Sequence, residues 1–139
     1  MMDQSTPEFA DARRVLALLD NLFFVAKLDA VASLSGLRLV TARTAEKGLQ
    51  LAEADLPILI VIDLDAQACR PFDFIHAVKA NPLLQAVPLL GFVAHVNTGV
   101  QQQARAAGCD RVLARSVFSR DLPELMQTAF NQATSKSLA

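Results

Sequence analysis

Five apolar residues in a row, Ile58-Leu59-Ile60-Val61-Ile62, run directly into Asp63, and four of the five are β-branched. A segment so apolar leaves no face for water. It predicts a strand covered on both sides, the habit of a parallel sheet inside an α/β domain. Open sheets of that kind take their ligands at the carboxyl ends of the strands. Asp63 is therefore a candidate functional carboxylate; the alternative is a carboxylate that merely closes the strand or starts a turn.

The rest of the chain alternates in kind. Residues 14–19 predict a first buried strand, ending at Asp20-Asn21. Residues 22–35 predict a helix with Phe24, Leu28, Val31 and Leu34 on one stripe, closed by Gly36 in a left-handed position. Residues 37–42 predict the second strand. Thr44 is the expected N-cap of a helix over 45–55, with Glu46 in its positive first turn. After the third strand come a loop over 65–71 and a helix over 72–80, stopped by Asn81-Pro82. Residues 87–93 predict the fourth strand. Val100, Ala104 and Ala107 form the apolar face of the next helix, which Gly108 ends. Residues 112–114 predict a short fifth strand. Asp121 as cap, Pro123 in the first turn and Glu124 at the third position predict the start of the last helix. Its apolar stripe is Leu122, Leu125, Met126, Ala129 and Ala133.

Strand then helix, five times over, predicts an α/β fold: a flavodoxin-like, doubly wound, five-stranded parallel sheet of order 2-1-3-4-5 with helices on both faces. Residues 1–12 are expected to be a flexible N-terminal segment, 13–131 a single domain and 132–139 a polar tail that frays.

The chain has 139 residues, room for one domain, and 53% of them are hydrophobic, enough for a real core. Thirteen basic and fourteen acidic residues leave a net charge of −1. That balance excludes the electrostatic footprint of a nucleic-acid binder and the polybasic run of a lipid binder. Trp and Tyr are absent, which removes most stacking platforms for single strands. No apolar stretch reaches the roughly 18 residues needed to span a bilayer. The polar, acidic start is not a secretory signal. Cys69 and Cys109 lack metal-type spacing, so a cytoplasmic protein with reduced thiols is expected.

In a sheet of order 2-1-3-4-5 the first and third strands are neighbours at the topological switch point. Asp20 and Asp63 then converge on one rim. Like charges so close raise a pKa unless a cation lies between them, and hard oxygen ligands with room for water suit Mg²⁺. The alternative is two unrelated strand-end aspartates, each accepting backbone N–H bonds.

With these features the sequence resembles the receiver domains of two-component response regulators, from Arg14 to about Phe130. The carriers are Asp20, the segment from Pro57 to Asp63-Leu64, Val87-Pro88-Leu89-Leu90-Gly91-Phe92-Val93-Ala94-His95, and Ala107-Gly108-Cys109-Asp110-Arg111-Val112-Leu113. The resemblance implies that Asp63 is the phosphoacceptor in a phosphorelay, taking a phosphoryl group from a histidine kinase or phosphotransfer protein. It implies Mg²⁺ held by Asp20, Asp63 and the backbone carbonyl of Asp65. It also implies a signalling module rather than an enzyme.

The departures are equally specific. Receivers begin the site with two adjacent acids, whereas Asp20 lies between Leu19 and Asn21. Val93 stands in place of the usual Thr or Ser and has no hydroxyl to give the phosphoryl group. Arg115 and Ser116 stand in place of Lys and Pro; the charge is kept on a longer, forked group. Val112 replaces the aromatic switch residue. These losses weaken transfer, and they weaken the read-out more, because a switch needs a bistable element that the new charge biases.

Three functions follow. The first is a stand-alone phosphoacceptor receiver that acts on a downstream target in trans. The second is a pseudo-receiver, a docking module independent of phosphorylation. The third, a small flavodoxin-like enzyme or nucleotide binder, lacks any glycine-rich phosphate loop. By resemblance, weak homodimerisation or partner contact is expected through the fourth helix, fifth strand and fifth helix, where Gln101, Gln102, Gln103, Arg105 and Arg111 lie. His95 and His76 read as surface residues. Cys69 reads as a loop residue open to exposure, and Cys109 as a small buried hydrophobe. Phe23 and Phe24 cannot both face the core. Arg111 and Arg115 flank the fifth strand, as solvated charges or as part of an interaction face.

Overall fold

Successive residues of a strand point to opposite faces, and here both faces are apolar, so each strand supplies two cores at once. The computed structural model describes residues 13–138. Among them run β1 (Arg13–Leu18), α1 (Leu22–Leu34), β2 (Leu37–Ala42), α2 (Ala45–Ala54), β3 (Leu59–Asp63), α3 (Pro71–Ala80), β4 (Leu89–Val93), α4 (Thr98–Ala107), β5 (Arg111–Ala114) and α5 (Arg115–Leu138). The strands form one sheet in the order β2-β1-β3-β4-β5, and all four pairings are parallel. This is the doubly wound arrangement the alternation predicts. The expected flexible segment 1–12 lies outside the described residues.

Leu16 and Leu18 of β1 and Ile60 and Ile62 of β3 pack on one face with Phe74, Ile75 and Val78 of α3 and Ala104 of α4. Val15, Ala17, Val61 and Phe92 face the other way, against Leu28 of α1 and Phe118, Leu122 and Met126 of α5. Three rings anchor that second core. Phe92 and Phe118 stack with centroids 4.8 Å apart, and Phe24 leans on Phe92 at 5.1 Å.

The caps follow local chemistry. Asn21 accepts the Phe24 N–H at 3.1 Å to start α1, and Thr44 accepts the Lys47 N–H at 3.1 Å to start α2. Gly36 and Gly108 take the positive φ values, +76° and +131°, that a side chain resists.

Four expectations need correcting. Leu34 is not on the buried stripe of α1: it is 89% exposed, and Leu28 and Ala32 are the residues that α1 buries. The expectation that Phe23 and Phe24 cannot both face the core holds: the ring cluster takes Phe24, and the helix turns Phe23 outward, 91% exposed. Cys69 is buried, since the 3-10 turn Gln67–Cys69 folds it into the core beside the α3 face of the sheet. The last helix does not begin at Asp121. It starts at Arg115, directly after β5, and Pro123 lies inside it. Burial of Phe118 and Leu122 upstream of the proline carries the helix through the lost N–H, and Asp121 pairs with Arg120 at 2.9 Å instead of capping. The same helix continues to Leu138, so residues 132–138 are helical where a fraying tail was expected.

Candidate functional site

Parallel register decides which residues share the carboxyl rim. Leu18 of β1 lies opposite Ile62 of β3, so Asp20 and Asp63 leave the sheet at the same edge, on adjacent strands. Asp63 lies opposite Phe92 of β4, and Val93 lies opposite Ala114 of β5. Past the strand ends, the turn after β3 brings the Asp65 side chain to the Ala94 N–H, and Arg115 follows the last paired residue of β5. Asp63, Asp65, Ala94 and Arg115, from three chain segments, thus meet at this rim.

Asp63 is the single buried charged residue among those described, 5% exposed. Its Oδ1 accepts the Asp65 N–H at 3.0 Å. Its Oδ2 faces Arg115 Nη2 at 3.6 Å. Burial pushes the Asp63 carboxyl above its ordinary value; the Asp65 N–H and the Arg115 charge pull it down, and the charges of Asp65 and Asp20 push it up again. The carboxylate is thus held in a conflict that a cation or a covalent modification would relieve.

Such a shift has a consequence for stability. A carboxyl whose folded-state pKa is raised binds its proton more tightly in the native chain, so stability falls as pH rises through the window above 3.8. Asp63→Asn removes that cost. In metal-free buffer at pH 7 it is expected to raise the thermal midpoint. The gain shrinks as pH falls and vanishes once the unfolded carboxyl is protonated as well. Scanning calorimetry across pH checks this, and a midpoint lowered at pH 7 would contradict it.

Arg115 is held from two sides. Its Nη2 also lies 3.9 Å from Asp65 Oδ2, and its guanidinium carbon sits 5.7 Å from the Phe92 ring centroid. Asp65 contributes more than the main-chain carbonyl expected of it, for its Oδ2 accepts the Ala94 N–H at 2.7 Å. Sequence reasoning missed that carboxylate, the Ala94 N–H and the ring beneath Arg115. No pattern in the sequence marks them, because Asp65 and Ala94 lie past the strand ends, where the turn after β3 sets their approach.

Val93 is buried at the end of β4 and Val112 inside β5, so neither offers a hydrogen-bonding side chain to the rim. His95 is exposed in the loop after β4, and His76 is exposed on α3. Burial pushes the Cys69 thiol up, with Asp20 and Asp63 adding to it. Burial pushes the Cys109 thiol up to about 11. Both are protonated, inert thiols at neutral pH.

The oxygen donors fit Mg²⁺ in kind. That ion binds through one or two carboxylates and keeps several waters; Asp20 and Asp63 share the rim, and the Asp65 carbonyl, which accepts the Gln67 N–H at 2.9 Å, keeps a second lone pair. Among the described residues no three His, Cys, Asp or Glu side chains gather as a ready metal cage. Among them, too, no helix is long and apolar enough to cross a membrane.

No family model and no curated protein matches the sequence. Solved structures do match the fold. A CheY-like response regulator receiver domain protein from Methanospirillum hungatei JF-1 superposes with a TM-score of 0.76 over 91% of this chain and 99% of that one, at 17% identity. Chemotaxis protein CheY4 of Vibrio cholerae gives 0.76 over 85% of this chain and 98% of that one, at 19% identity. The phosphorylated cyanobacterial phytochrome response regulator RcpA gives 0.70 over 84% of this chain and 90% of that one, at 14% identity. The chain therefore has the fold of CheY-like response regulator receiver domains.

Proposed function

We propose that the chain is a receiver module that accepts a phosphoryl group on Asp63, with Mg²⁺ held by Asp20, Asp63 and the Asp65 carbonyl. The observation that carries this reading is the buried Asp63 carboxylate at the end of β3, facing the Arg115 guanidinium at 3.6 Å. A nucleophile and a fixed cation in contact are the minimum for phosphoryl transfer, which depends on positioning and charge stabilisation. The donor class is a phosphohistidine on a histidine kinase or phosphotransfer protein. An Asp63 oxygen forms the new bond to phosphorus as the P–N bond breaks, and the electron pair returns to the imidazole. The bound cation would neutralise charge on the phosphoryl oxygens. Arg115 pairs with the group in place of a lysine, and the signal passes to a protein partner in trans. One neighbour of the same fold is described as phosphorylated.

A phosphorylation-independent docking module is the second reading. Val93 and Val112 favour it, since both are buried and neither can couple a phosphoryl group to a moving ring. Titration with Mg²⁺ and beryllofluoride, followed by backbone NMR, separates the two. Saturable shifts at Asp63, Asp65, Ala94 and Arg115, absent from Asp63→Asn, are expected of the phosphoacceptor. Flat titrations at millimolar Mg²⁺ would leave the docking module. The cytoplasm is the expected compartment for either role.

A further inference from the structure

We infer that the Asp65 carboxylate is a built-in occupant of the phosphoryl subsite, competing with a phosphoryl group on Asp63 for the Ala94 N–H and for Arg115. The inference rests on the reading of Asp63 as phosphoacceptor and adds a regulation of that site.

Three observations converge. Asp65 Oδ2 accepts the Ala94 N–H at 2.7 Å, a charge-assisted hydrogen bond of the short, strong kind. The same oxygen lies 3.9 Å from Arg115 Nη2, and that nitrogen is the one that faces Asp63 Oδ2 at 3.6 Å. Register brings the ends of β3, β4 and β5 to one rim, and the turn after β3, closed by the Asp65 N–H on Asp63 Oδ1, carries the Asp65 side chain to Ala94.

A phosphoryl group bonded to Asp63 Oδ2 would put its own oxygens beside that guanidinium nitrogen. Val93 has no hydroxyl, so the donor that the end of β4 turns to the rim is the main-chain N–H of Ala94. Both donors are already engaged by an anion of this chain. Two anions cannot share them without repulsion, so phosphorylation of Asp63 must expel the Asp65 side chain.

The cost of expulsion lowers affinity for a phosphoryl group. It also supplies a moving part. Val93 and Val112 cannot act as a hydroxyl-to-ring couple, but a displaced Asp65 side chain reports the modification to the exposed loop after β3. A ligand shifts an equilibrium only by its differential interaction with the two states, and here the difference is the exchange of one anion for another.

The test compares wild type, Asp65→Asn and Asp65→Ala. Asp65 is exposed, so neither change disturbs the core, and both leave its backbone carbonyl in place. Beryllofluoride with excess Mg²⁺ is titrated into each chain by NMR, with Asp63→Asn as the blank. Apparent affinity is expected to rise at least about tenfold in Asp65→Ala, and to rise in Asp65→Asn. Without ligand, the Ala94 amide resonance of wild type is expected downfield and slow to exchange, and to move upfield in Asp65→Ala. An Ala94 amide unmoved by Asp65→Ala overturns the inference. Equal affinity in all three chains, or weaker affinity in the variants, overturns the competition and leaves the phosphoacceptor standing. Failure of all three to saturate overturns both.

Discussion

Phe92→Ala is expected to destabilise the fold by about 3–5 kcal/mol, the range for removing a buried aromatic side chain. Phe92 is fully buried on the interior strand β4, stacked on Phe118 at 4.8 Å and tilted against Phe24 at 5.1 Å. Paired rings add about 0.5–1.5 kcal/mol beyond their buried area. The cluster joins α1, the sheet and α5, so no single element can collapse into the void. Urea unfolding by circular dichroism measures the loss, with Phe92→Leu as the control that keeps most of the volume. A loss below about 1.5 kcal/mol in the alanine variant would mean that the three rings do not act as one packed unit. The same variant removes the surface beneath Arg115, so the guanidinium should lose order where the fold survives.

Arg115→Ala is expected to weaken binding of Mg²⁺-beryllofluoride by on the order of 10²–10³-fold, by analogy with deletion of one oxyanion donor. Arg115 is the cation nearest Asp63, and Val93 supplies no second side-chain donor, so little is left to compensate. Arg115→Lys keeps a charge but loses the planar fork and the stacking on Phe92, and is expected to recover binding only in part. The thermal midpoint should move little in either variant, because half-exposed ion pairs and cation–π contacts contribute roughly 1 kcal/mol or less. NMR titration gives the affinity. Unchanged affinity in Arg115→Ala would remove Arg115 from the phosphoryl site and take the strongest support from the phosphoacceptor reading.

Asp20 and Asp63 were legible because each ends an apolar run, and a parallel sheet collects strand ends on one rim. The caps Asn21 and Thr44 and the stops Gly36 and Gly108 were legible at the level of single side chains or their absence. The start of α5 was not. Asp121, Pro123 and Glu124 spell a cap in isolation, but burying Phe118 and Leu122 against β4 outweighs that local preference and draws the helix back to Arg115. Leu34 shows the same limit, since a stripe read at helical spacing does not say how far the sheet extends beneath it.

The order of apolar runs and breakers in the chain determined a doubly wound parallel sheet, with Asp63 at its carboxyl rim, because burial of both strand faces admits few other arrangements. Only the tertiary structure decided that the Asp65 carboxylate, the Ala94 N–H and the Arg115 guanidinium stand in one row. That row depends on the register of three strands distant in sequence, and register is set by how their side chains interlock across the sheet.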